Sequence, residues 1–139
     1  MKISQEELKQ LVDAAIDIKK HCYAPYSNFR VGAALLGEDG KIYTGVNVEN
    51  CSYGLTICAE RTAYTKAVSE GCKKFKAIVV SSDVEDKFIT PCGACRQFAI
   101  EFGDFDVVCV KPDRTMSAST TLEMLPGFFL ELPKDSAKN

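Results

Sequence analysis

Cys58-Ala59-Glu60 and Pro91-Cys92-Gly93-Ala94-Cys95 together restrict what this chain can fold into. Three thiolates are good ligands for a tetrahedral zinc, and they leave its fourth position open for water, the layout of a catalytic centre. A closed structural site would take a fourth Cys or His, and none stands at a familiar spacing. Glu60 is surplus to the ligand set, so its carboxylate is free to shuttle protons for that water. Cys58 and Cys92 each stand at the expected start of a helix, with Cys95 one turn beyond Cys92 on the same face. The unpaired N–H groups and positive dipole of a helix N-terminus lower a thiol's pKa. Two such ends pointing at one ion hold its thiolates deprotonated.

Charge balance asks for one more residue. A divalent zinc with three thiolates is net negative, and Glu60 adds a further negative charge, which weakens the metal as a Lewis acid. Arg61 is the candidate to relieve this by donating to the sulfurs, and Arg96, beside Cys95, competes for the task. The plainer reading makes each a surface arginine. Likewise, Cys92-x-x-Cys95 alone reads equally well as a redox dithiol or half of a structural zinc knot; Cys58, Glu60 and Pro91 tip the reading towards catalysis. His21, the one histidine, lies outside every motif, which disfavours hydrolases that need a His base.

The surrounding pattern is that of a layered α/β chain. Ser4-Gln5-Glu6-Glu7 has the form of a capping box, followed by an apolar stripe at Leu8, Leu11, Val12, Ala15 and Ile16 and basic residues at 19–21. Arg30–Leu36 and Lys41–Val48 read as strands joined by a turn with Asp39-Gly40. A helix is expected over about Cys58–Glu70 with a face of small residues, stopped by Gly71. Ala77–Val80 and Val107–Val110 read as buried strands on either side of a helix over Cys92–Phe102, opened by Pro91. One helical turn is expected at Thr121–Leu125, and a frayed polar tail at 134–139. The 139 residues show no repeat or linker, so one domain over 1–139 is expected.

Composition narrows the function class. The 17 basic and 19 acidic residues leave a net charge of −2, without the basic face of a nucleic-acid binder. No apolar run approaches bilayer length, and the N-terminus lacks the apolar core of a signal peptide. Seven cysteines, an odd number, fit a reducing compartment, and hence a cytoplasmic location.

At this point the chain resembles the small, homotetrameric cytidine deaminases of nucleoside salvage. The resemblance runs from Tyr23 to Phe129 and rests on four blocks in order: Tyr26–Ala34, Gly45–Asn50, Ile57–Ala63 and Pro91–Gln97. The Cys-x-Glu…Pro-Cys-x-x-Cys pattern is the three-cysteine form of a zinc deaminase signature. The family implies a three-layer α/β/α sandwich with a five-stranded mixed sheet, and one Zn²⁺ per chain between two helix N-termini. It implies Cys58, Cys92 and Cys95 as ligands and Glu60 as proton shuttle. Asn47 and Glu49 match its ribose-binding pair; two apart on a strand end, they point the same way and can hydrogen-bond sugar hydroxyls. Phe29 matches the residue packed on the pyrimidine, and Ala59 offers backbone groups to the base. Tyr53 and Phe129 match aromatics given to a neighbouring subunit's site, although Phe128 competes with Phe129 because the tail departs from the family pattern.

The expected reaction is hydrolytic deamination of cytidine and 2′-deoxycytidine to uridine and 2′-deoxyuridine. Deamination of another aminopyrimidine nucleoside, such as an antibiotic, is the nearest alternative, and a structural zinc-binding module a more distant one. The expected partners are a small nucleoside and further copies of the chain, with neither nucleic acid nor membrane.

Overall fold

The computed structural model describes residues 1–131, so the tail expected at 134–139 lies outside the described residues. Helix α1 (Gln5–Ile18) begins with the expected capping box: Glu7 N donates to Ser4 Oγ at 3.0 Å and Ser4 N to Glu7 Oε1 at 2.9 Å. A 3₁₀ turn, Lys19–His21, ends it. Strands β1 (Val31–Gly37) and β2 (Ile42–Val46) form the expected hairpin, with Gly40 at φ +83° in the turn. Helix α2 (Ala59–Ser69), strand β3 (Phe75–Ser82), helix α3 (Gly93–Ile100) and strand β4 (Asp106–Val110) follow. Strand β5 (Met116–Thr120) and the single turn α4 (Thr121–Met124) complete the order.

The sheet runs β2-β1-β3-β4-β5, with β3 and β4 parallel and the other pairs antiparallel. Side-chain alternation sends the strands' apolar residues to both faces. Leu8, Leu11, Val12 and Ala15 of α1 pack on Ala34, Leu36, Val79, Val108 and Val110. On the other face, Ala59, Ala63, Tyr64 and Ala67 of α2 and Ala99 of α3 meet Ala33, Leu35, Ile78, Val80 and Val107. This is the expected three-layer α/β/α arrangement of a five-stranded mixed sheet.

Local reading of the residues misses β5 and misplaces Pro91. Met116-Ser117-Ala118-Ser119-Thr120 has no apolar run because it lies at the sheet edge, its first three residues exposed; register with β4 alone makes it a strand. Cys92, not Pro91, is the residue before the first helical turn of α3, which puts Pro91 just outside the helix.

One close approach places the site. A Cβ on Gly45 of β2 would lie 2.3 Å from the Ala59 carbonyl oxygen and 2.6 Å from the Ala63 nitrogen. Helix α2 therefore rests directly on the β2 backbone, a distance only glycine permits. The alanines of α2 complete that seat, and its N-terminus is delivered to the end of the sheet where β1 starts and β3 finishes.

Candidate active site

Two helix N-termini converge there. Cys58 and Cys92 are the N-cap residues of α2 and α3, both in extended backbone conformation, and neither side chain caps its own helix. Their sulfurs are thereby left to face each other. Cys58 Sγ and Cys92 Sγ lie 3.8 Å apart, and with Cys95 Sγ all three fall within 4.8 Å of one another. Three soft donors gathered from two helix ends suit zinc in chemistry and in number, with a tetrahedral position to spare.

The sulfurs share charge. Accepting from Cys95 pulls the Cys58 thiol down to about 5, with the Arg61 guanidinium adding to the effect. The same contact pushes Cys95 far up, helped by burial. Opposite shifts on neighbouring thiols belong to the pair, and the lowered member is Cys58, which accepts from Arg61.

Arg61 and Arg96 separate cleanly. Arg61 Nη2 donates to Cys58 Sγ at 3.2 Å, while its Nε is buried without a partner. Arg96 is spent on the main chain and a hydroxyl, with Nε on the Pro91 carbonyl at 2.7 Å, Nη1 on the Met124 carbonyl at 2.8 Å and Nη2 on Thr90 Oγ1 at 3.0 Å. Of the two expected candidates, the geometry puts Arg61 at the sulfurs and makes Arg96 a clamp between the start of α3 and α4.

Glu60, in the first turn of α2, is only 5% exposed. Burial pushes its carboxyl up to about 7, and the negative charge of Cys58 adds to the rise. The group therefore changes protonation near neutrality, and a cation on the sulfurs would draw the value back down.

A cavity of about 270 Å³ opens on this centre, near the small end of ligand-sized sites. Phe29, Asn47 and Glu49 line it from loops beside the β1–β2 hairpin, Ile89 and Thr90 from the segment before α3, and Cys58, Ala59, Glu60 and Cys92 from the helix ends. Asn47 is buried and grips the chain on either side of Arg30: its Nδ2 donates to the Phe29 carbonyl at 2.7 Å and its Oδ1 accepts from Val31 N at 2.9 Å. One N–H and one lone pair of the amide remain. Glu49 Oε1 accepts from Tyr26 N at 2.9 Å and Ser27 N at 3.2 Å, and the Ser27 hydroxyl donates to Oε2. These donors hold its carboxyl below the usual carboxylate range, the Ser27 hydroxyl most of all.

Tyr53 and Phe129 do not line this cavity. Tyr53 is 74% exposed beside a second hollow with Tyr26, Ser27, Glu49 and Thr56, its ring 5.8 Å from that of Tyr26. Phe129 is 62% exposed, and its backbone N–H donates to Gln97 Oε1 at 3.1 Å, whereas Phe128 is half-buried. Sequence reading did not single out Ser27, Thr56, Ile89 or Thr90. Ser27 and Thr56 lie within or beside matched blocks, but Ile89 and Thr90 sit in an irregular segment that carries no local signal.

The family model described as cytidine and deoxycytidylate deaminase zinc-binding region matches residues 5–111. A Dictyostelium discoideum protein named probable cytidine deaminase is 68% identical over 127 residues, 91% of this chain and 86% of that protein. The cytidine deaminase of Sporosarcina psychrophila is 45% identical over 125 residues, 88% of this chain and 91% of that protein. Among solved structures, the crystal structure of cytidine deaminase from Burkholderia pseudomallei superposes with a TM-score of 0.84 at 42% identity, covering 91% of this chain and all (100%) of that one.

Proposed function

The chain belongs to the cytidine and deoxycytidylate deaminase family, and from that premise we propose that it hydrolyses cytidine and 2′-deoxycytidine to uridine and 2′-deoxyuridine with release of ammonia. The observation that carries the reading is a buried carboxylate, Glu60, beside three converging sulfurs at a cavity of 270 Å³.

Cys58, Cys92 and Cys95 would hold one zinc per chain. When bound, the metal supplies a Lewis acid that lowers the pKa of a water at its open position. Glu60 is placed to move both protons of the reaction: it takes one from the attacking water and hands it to ring N3 as C4 is attacked, then takes the second from the new C4 hydroxyl and gives it to the departing amine, leaving the C4 carbonyl and ammonia. Arg61 drains charge from Cys58, so the ligand set stays short of its full negative charge. Phe29 packs against the pyrimidine face, and the Ala59 backbone meets the base edge. Asn47 and Glu49 orient the ribose through acceptor and donor capacity not used on the loop.

The chain acts as a single domain in pyrimidine salvage in the cytoplasm, a setting in which its thiols stay reduced. Its net charge of −2 argues against a nucleic-acid substrate, and no helix among the described residues is long and apolar enough to cross a membrane. It assembles as a homotetramer in which Tyr53 and Phe129 complete a neighbour's site, a reading supported by the exposure of Tyr53, Leu55, Ile57 and Phe129.

Ultraviolet absorbance of cytidine mixed with the purified protein, beside a zinc assay of the same sample, tests the reaction. Loss of the cytidine band with about one zinc per chain is expected. Zinc with cytidine untouched would redirect the assignment to another aminopyrimidine nucleoside.

A further inference from the structure

Two segments that line the cavity, far apart in sequence, are joined by ions away from the sulfurs. Arg30 directly follows Phe29, while Asp83 follows β3 and starts the segment that leads to Ile89 and Thr90. Arg30 forks onto Asp83, with Nε to Oδ2 at 2.7 Å and Nη2 to Oδ1 at 3.2 Å. Lys19, buried at the end of α1, brings its ammonium to the same Oδ1 at 3.0 Å and to the Ser82 carbonyl at 3.2 Å. The far end of the segment is pinned as well. Lys111 Nζ sits 5.1 Å from the centre of the Phe88 ring, and Arg96 holds Thr90 and Pro91.

An exposed ion pair contributes little to stability, and the side chains of Arg30 and Asp83 are 47% and 42% exposed. Direction is another matter. A carboxylate gripped by a two-point guanidinium and a buried ammonium has one orientation, and so do the chains that carry it. On the Phe29 side the backbone has just passed through a left-handed Asn28, φ +56°. Asn47 holds that stretch to the end of β2, the ladder pair Val31–Ser82 joins the strands beside it, and just beyond that pair Arg30 ties the stretch through its side chain to Asp83.

We propose that Asp83 is a positioning residue: by holding Arg30 and Lys19 together it sets the gap between the Phe29 wall and the Ile89–Thr90 wall, and with it the fit of the nucleoside. The inference rests on the cavity being the nucleoside site. Its effect falls on binding of the base rather than on proton transfer at Glu60, because neither Arg30 nor Asp83 reaches the sulfurs or that carboxyl.

The experiment compares wild type, Asp83→Ala, Arg30→Ala, the double variant and Arg30→Lys as purified zinc-loaded proteins. Steady-state cytidine kinetics, zinc content and amide hydrogen exchange are measured on each. Either single change to Ala is expected to raise KM about tenfold, the effect of losing a charged hydrogen bond, with kcat within about twofold and zinc unchanged. The double variant should be no worse than Asp83→Ala, since that change already releases both Arg30 and Lys19. Arg30→Lys, which keeps the charge but not the fork, should recover part of the loss. Exchange at residues 27–30 and 84–90 should quicken together in Asp83→Ala. Unchanged KM, a fall in kcat with loss of zinc, or additive effects in the double variant would overturn the proposal. Cytidine left intact by wild type strikes at the proposed reaction instead, and the exchange result then decides alone: coupled quickening sustains the tie, and unchanged exchange removes it.

Discussion

At the scale of single residues, Glu60 and Arg61 carry the sharpest expectations. Glu60→Gln keeps the shape and removes the proton carrier, so kcat should fall by about 10²- to 10⁴-fold while bound zinc and the circular dichroism spectrum stay as in wild type. Near-normal turnover in that variant would show that another group moves the protons. Arg61→Ala takes away the donor 3.2 Å from Cys58 Sγ, and zinc affinity or activity should drop about 10- to 100-fold by competition with a chelating dye. Both residues were candidates from the sequence, since each lies within one helical turn of Cys58. Arg61 was the favoured arginine and Arg96 its rival, without a contact to separate them. Arg61 lies one helical turn beyond Cys58 and Arg96 directly after Cys95, and the packing of α3 against α4 shows that Arg96 faces the Pro91 and Met124 carbonyls. Asn47 is similar: sequence proposes a sugar contact, and the fold adds a second task, gripping the start of β1.

Among the elements, the seat of α2 on β2 is the joint on which the site depends. Gly45→Ala drives a methyl into backbone that cannot rotate away, so a loss of about 1–3 kcal/mol or more is expected from urea denaturation, together with weaker zinc binding. Ser4→Ala makes a useful contrast. It removes half of the capping box of α1, on the opposite face of the sheet, and should cost about 1 kcal/mol with kcat/KM unchanged. The loop after β3 carries its own pH signature. Arg30, and Lys19 after it, hold the Asp83 carboxyl below the ordinary aspartate value. A carboxyl depressed in the folded state contributes stability that is present above the unfolded value near 3.8 and is lost as pH falls through the folded one. The contribution is small because the pair is well solvated. Urea midpoints measured from pH 6 down to pH 2.5 should therefore converge for wild type and Asp83→Asn at the acid end, with wild type ahead above it. Helices and buried strands were readable from period and composition. Strand β5 was not, because an edge strand gains its pairing from β4 rather than from its own apolar residues.

For the whole molecule, two packed faces on one sheet make the fold independent of the sulfur centre. The apolar clusters under α1 and under α2 and α3 do not rely on Cys58 or Cys92. Removal of zinc should accordingly abolish turnover and lower the melting temperature while leaving the far-ultraviolet spectrum in place; a chain that unfolded on chelation would be a structural zinc module instead. The exposed rings of Tyr53 and Phe129 set the expectation at the level of assembly. Light scattering should give a mass of about four chains, and Tyr53→Ala should impair turnover only in the assembled form. A stable, active monomer would remove the shared-site reading.

Spacing along the chain points to the chemistry: which sulfurs could meet a metal, which carboxylate was spare, and which segments were helix or buried strand. These are properties of spacing, and spacing survives any change in how the layers pack. The packing of the layers shows which arginine meets the sulfurs, that β5 is a strand, that Phe29, Ile89 and Thr90 line one cavity, and that Arg30 pairs with Asp83. The first two turn on how neighbouring elements pack, and the last joins residues far apart in the chain, as Arg30 and Asp83 show at a separation of 53. No local pattern encodes them, because burial and ion pairing become definite only when the layers have closed.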